Sequence, residues 1–128
     1  MNSNYLHSDT TSLILKAFYN VYNTLGYGFL EKVYENAMMI ELKKLGLECR
    51  KQVPLKVYYD DINVGDYFAD IIVENLVIIE LKAAKDIIIE HEAQLVNYLR
   101  ATDIEVGLLL NFGKKPQHKR RVLTSEYK

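Results

Sequence analysis

The sequence predicts an α/β domain with a mixed β-sheet flanked by helices, in the order ααβββαβ. Three observations carry this. Two apolar stripes at helical spacing open the chain, two β-branched apolar runs fill its middle, and a helical segment followed by an apolar strand comes after them. With 128 residues the chain fits a single domain over 1–128 with one core.

Residues 1–8 are polar and expected to fray. Asp9 or Thr10 can cap a helix whose apolar stripe is Leu13, Ile14, Ala17, Phe18, Val21, Tyr22 and Leu25, broken by Gly26 and Gly28. A second helix is expected from Phe29 to about Leu45, with Leu30, Val33, Tyr34, Ala37, Met38 and Leu45 inward and Gly46 as its stop. Met38 and Met39 read as core filling.

Residues 48–59 alternate as a strand, and Pro54 within them points to a sheet edge or a bulge. Asp60-Asp61 turns the chain. Residues 65–82, GDYFADIIVENLVIIELK, then hold two apolar runs, 67–73 and 76–81, meeting at Glu74-Asn75. They are too apolar for a hairpin with one wet face, so they belong at the centre of a covered sheet. Residues 83–86 connect to a helix over about 89–101, with Leu95, Tyr98 and Leu99 inward. A buried strand follows at 105–112, then a loop at 113–117, with 121–124 as a candidate short last strand.

The chain is 49% hydrophobic and 26% charged, which excludes disorder. Its net charge of −1 means that any nucleic-acid surface must be local. The single cysteine, Cys49, excludes an internal disulfide and a multi-cysteine zinc site. No apolar run approaches the roughly 18 residues that span a membrane, and the N-terminal residues lack a signal-peptide core. A soluble, cytoplasmic protein is expected.

Asp70, Glu80 and Lys82 are charges set in the oily central hairpin. Buried charges are costly unless paired or bound to metal. Glu80 and Lys82, two apart on a strand, project from one face. Carboxylates converging there could bind Mg²⁺, and a neighbouring lysine could orient water and hold a phosphate. A buried ion cluster without activity is the alternative. Register is decisive. A two-residue turn at Glu74-Asn75 would pair Asp70 with Ile79 and turn it away from Glu80, so a shared site requires an odd loop, such as Glu74-Asn75-Leu76, or a bulge.

At these residues the chain resembles the PD-(D/E)xK nuclease superfamily and, within it, the small proteins called the GxxExxY family. The likeness runs from about Ser12 to Leu123. Its motifs are GFLEKVY at 28–34 preceded by NTLGYG, QVPLKVYY, Ala69-Asp70, IELKA at 79–83, HEAQLVNYLRAT and GLLLNFG. Tyr27 departs from the proline of many relatives. The resemblance implies a restriction-endonuclease-like core and a metal-dependent nuclease acting on DNA with Mg²⁺ or Mn²⁺. It implies Asp70, Glu80 and Glu31 as metal ligands and Lys82 as the catalytic lysine. Gln94 and Tyr98 match a Gln-x-x-x-Tyr motif beside metal and DNA in RecB-like exonucleases.

Each of these has a plainer reading: Glu31 as a first-turn acid, Gln94 and Tyr98 as helix-surface polar groups. His91 reads as a solvated histidine or a substrate contact, and Tyr34 as core. Residues 114–121, KKPQHKRR, hold Lys114, Lys115, Lys119, Arg120 and Arg121, either a phosphate-gripping patch or a solvated loop. The alternative function is a non-catalytic nucleic-acid- or protein-binding module on the same fold. A third is a subunit active only with a partner, and the small size of the chain favours a homodimer.

Overall fold

The structure, a computed structural model, describes residues 6–128. Helices α1 (Ser8–Leu25) and α2 (Glu31–Lys44) precede strands β1 (Cys49–Tyr59), β2 (Ile62–Val73) and β3 (Val77–Lys82). Helix α3 (Ile89–Arg100) leads to β4 (Val106–Phe112) and β5 (Pro116–Val122), and a 3₁₀ turn (Ser125–Tyr127) closes the chain. The strands form one five-stranded sheet in sequential order. Only β3 and β4 are parallel, because α3 carries the chain back between them. The α/β expectation holds.

Each sheet face buries its own core. Ile14, Phe18, Tyr34, Met38, Ile71, Ile79, Leu108 and Phe112 belong to the core under α1 and α2. Leu55, Ala69, Ile72, Ile78, Leu95 and Leu99 belong to the one under α3. Covering both faces explains why β3 and β4 read as continuous apolar runs. Helix α3 sits close to the sheet at Gly107, where a Cβ would lie 2.6 Å from Leu95 Cδ1.

Several boundaries differ from expectation. The expected fraying of 1–8 lies outside the described residues for 1–5. Leu6, however, packs on the core, its carbonyl accepts from Arg120, and α1 starts at Ser8. No side chain caps α1; Asp9 stands in its first turn, not at its cap. Leu30 and Val33 are exposed, because the buried stripe of α2 is Tyr34, Glu35, Met38 and Leu42. The last strand starts at Pro116, so part of the expected basic loop is paired with β4.

The turns explain the register. Asp60 and Asp61 both have positive φ in a two-residue hairpin linking Tyr59 to Ile62. Between β2 and β3, Val73 pairs with Val77, which leaves Glu74-Asn75-Leu76 as a three-residue loop. The odd loop required by the charge pattern is present. Pro54 lies on β1, an edge strand, as its ring demands.

Candidate active site

The last backbone pair of β2 with β3 is Ile71 with Ile79. One step further the strands part, and side chains occupy the gap. Glu80 Oε1 accepts the N–H of Asp70 at 3.1 Å, and Asp70 Oδ2 accepts the N–H of Leu81 at 2.8 Å. Both carboxylates therefore complete the ladder where the backbone does not.

A change of face occurs at the same point. Ile71 faces α1 and α2, whereas Ala69 packs under α3, although the two are only two residues apart. Opposite them on β1, Lys51 bonds Asn36 of α2, while Val53 packs on the α3 side. Gln52, between those two, has φ 50°. This kink in both strands turns Gln52 inward: its Nε2 donates to Glu35 Oε2 at 2.9 Å and to Asp70 Oδ1 at 3.4 Å.

Burial dominates the electrostatics. Glu80, only 5% exposed, has its pKa pushed up to about 8, first by burial and then by the charge of Asp70. Asp70 is raised too, by burial and by the charge of Glu35, against the N–H bond from Leu81. The positive charge of Lys82 opposes both shifts and also lowers the pKa of His91, which burial depresses first. Among the described residues Lys82 makes no ion pair within 4.0 Å, so its ammonium is uncommitted.

Helix α3 supplies the opposite wall. Gln94 Nε2 donates to Tyr98 Oη at 2.9 Å. Burial, followed by the charge of Glu80, raises the Tyr98 pKa, so its hydroxyl stays a proton donor. The four-residue spacing thus places Gln94 where it holds the Tyr98 hydroxyl.

The structure does not join Glu31 to this cluster. It is the first residue of α2 and exposed, and no hydrogen bond or ion pair joins it to Asp70 or Glu80 among the described residues. The helical acid linked to the cluster is Glu35, one turn on and 4% exposed. Its buried Oε1 accepts no hydrogen bond among the described residues and has Lys32 Nζ 3.9 Å away. Glu35 could have been found from sequence, as a carboxylate in phase with Tyr34, Met38 and Leu42. Gln52 carried no such signal, since its role depends on a positive φ.

Tyr34 is core, as expected. Its ring stacks on Phe112 with centroids 4.0 Å apart, and its hydroxyl donates to Gly26 O at 2.8 Å while accepting from Phe29 N–H at 3.2 Å. It thereby fixes the loop that leads into α2.

The basic run is not one patch. Strand alternation splits it: Arg120 pairs opposite Leu108 and bonds Leu6, whereas Lys119 and Arg121 project from the α3 side. Arg121 meets Glu92 at 3.5 Å. Lys114 and Lys115 stand exposed in the turn before β5.

Asp70 and Glu80 offer only oxygen donors, in a setting that penalises their charge, which fits a hard divalent cation. Among the described residues no three His, Cys, Asp or Glu side chains converge to cage an ion, and Asp70 and Glu80 are two acids that the structure holds together. Mg²⁺ characteristically takes one or two carboxylates and keeps its waters.

The mixed sheet with α3 as its crossover and the paired carboxylates with a following lysine define a restriction-endonuclease-like α/β fold. A family model described as the PD-(D/E)XK nuclease superfamily matches residues 8–122, and the chain belongs to that superfamily. Such nucleases generally use divalent metals. Among solved structures, the chain is similar to one titled "Crystal structure of SSO0001", with TM-score 0.55 and 18% identity, which supports the shared fold. The match covers 73% of this chain and 50% of the other, so this chain spans about half the length of that protein. No curated protein matches it. Among the described residues no helix is long and apolar enough to cross a membrane.

Proposed function

We propose that this chain is a single nuclease unit that hydrolyses phosphodiester bonds in DNA with Mg²⁺ or Mn²⁺. The observation that carries this is the Asp70–Glu80 pair, two acids held together by main-chain N–H groups with an uncommitted lysine two residues on. Asp70 and Glu80 would hold the ion, which when bound polarises the phosphate and lowers the pKa of a coordinated water. Lys82 steadies the phosphate and orients the attacking water. Gln94 directs Tyr98, whose hydroxyl donates to a phosphate oxygen. Glu35 and Gln52 hold Asp70 in place. Lys114, Lys115 and Lys119 add phosphate contacts outside the site.

The narrower assignment to the GxxExxY family rests on Gly28, Glu31 and Tyr34, of which Tyr34 has a visible role: its hydroxyl pins the glycine loop through Gly26 and Phe29. We place the protein in the cytoplasm, acting as a homodimer.

The test is cleavage of labelled single-stranded, duplex, flapped and four-way DNAs with Mg²⁺ or Mn²⁺, comparing wild type with Lys82→Ala. Cutting by wild type alone supports the proposal. A non-catalytic binding module is favoured by one observation: both carboxylates already satisfy backbone N–H groups and so have a structural use. DNA binding without cutting in either protein would establish that reading instead.

A further inference from the structure

A groove of about 900 Å³ runs between the β1–β2 hairpin and α3. We propose that it holds an unpaired nucleic-acid strand leading to the carboxylates, with one base stacked on Tyr67. This rests on the nuclease reading above and adds the substrate class.

Continuity places the groove in the reaction path. Gln94 and Tyr98 line it, and Tyr98 is also close enough to Glu80 and Asp70 for both charges to act on its hydroxyl. A chain lying in the groove passes Tyr98, which packs in the α3-side core together with Ala69, the neighbour of Asp70.

The walls suit base faces. Tyr67 is 46% exposed, with its ring 5.8 Å from that of Tyr98, and Tyr58 lines the same wall at 60% exposure. Gly65 makes room for the ring of Tyr67, because a Cβ there would come within 2.8 Å of Tyr67 Cε2. The backbone has thus been left bare where the ring lies across it. Stacking on such rings tolerates any base, since every base has a π-face. In a duplex those faces are buried in the stack, and only phosphates and groove edges are offered.

The charges agree with a single phosphate backbone. Lys56 and Arg100 line the groove, while among the described residues Glu90 is the one carboxylate lining it and stands at the start of α3. Two cations can follow one strand, but they make a thin surface for a duplex.

The experiment is fluorescence anisotropy in EDTA, with a short labelled single-stranded DNA and the blunt duplex of the same sequence. Wild type is expected to bind the single strand more tightly. Tyr67→Ala should weaken that binding about tenfold, Tyr67→Phe should preserve it, and Gly65→Ala should weaken it by displacing the ring. If Tyr67→Ala fails to fold, Tyr67→Leu keeps the apolar bulk without the π-face and should show the same loss. Duplex binding as tight as single-strand binding, or a Tyr67 variant without effect, would overturn the inference. The two proposals fail separately. Single-strand binding without metal-dependent cleavage would remove the nuclease and leave the groove, whereas cleavage of blunt duplex without single-strand preference would do the reverse.

Discussion

Glu80 accepts the backbone N–H of Asp70, and the Asp70 carboxylate accepts the next N–H along β3, that of Leu81, so the two acids lock each other's strands. The arrangement sets two acids side by side in a half-dry space that resists their carrying charge together before any ligand arrives. Much of the behaviour expected of the protein follows from that tension.

The first consequence is a pH dependence. The folded pKa of Glu80 is raised from 4.5 to about 8, so between these values the folded state keeps a proton that the unfolded chain has released. Stability of the metal-free protein therefore falls as pH rises through that window, by on the order of a few kcal/mol. Urea titrations at pH 5.5 and 8.5 in EDTA should show the decline, and Glu80→Gln should flatten it. Mg²⁺ should raise the melting temperature more at pH 8.5 than at pH 5.5.

Glu35 and Glu31 should separate cleanly. Glu35 reaches Asp70 through Gln52, whereas Glu31 points into solvent. Glu35→Gln is expected to reduce DNA cleavage by about 10–100-fold, as the loss of a supporting contact to a metal ligand does. Glu31→Gln should change the rate by less than about threefold. Equal losses in the two variants would return the helical acid to position 31.

Lys82→Ala should lower the cleavage rate about 10²–10³-fold, the usual cost of one lost transition-state contact. Since Lys82 makes no ion pair within 4.0 Å among the described residues, its far-UV circular dichroism should match wild type. A metal titration by calorimetry should still show binding, which Asp70→Ala would abolish.

Tyr34→Phe keeps the ring stacked on Phe112 but removes the hydroxyl from Gly26 and Phe29. The expected loss is about 1–3 kcal/mol, read as a lower urea midpoint with an unchanged slope. An unchanged midpoint would mean that the loop does not depend on this hydroxyl.

Much of this was legible in the sequence because it depends on periodicity. Ile14, Phe18 and Val21 announce a helix face, and β-branched runs announce β2 and β3. Parity also demanded an odd loop or a bulge if Asp70 and Glu80 were to share a site, and the loop Glu74-Asn75-Leu76 meets that demand. The resemblance names Glu31, while phase with Tyr34 and Met38 marks Glu35 as the buried acid of α2. Gln52 was not legible: nothing marks a glutamine for positive φ, and its contacts exist only once two strands kink together. The arrangement of the basic run was not legible either. Composition counts charges, whereas a strand deals them alternately to two faces, sending Arg120 one way and Lys119 the other.

The three-residue loop has a kinetic consequence. Asp70 and Glu80 are ten residues apart on one hairpin, so closing that short chain costs little entropy. The pair can assemble on the microsecond scale of hairpin formation, about 1–10 μs, before the more distant helices dock. Docking must then dehydrate two carboxylates already side by side, a barrier that a divalent ion would lower. Refolding followed by stopped-flow tyrosine fluorescence should have a late step that Mg²⁺ accelerates in wild type and leaves unchanged in Glu80→Gln.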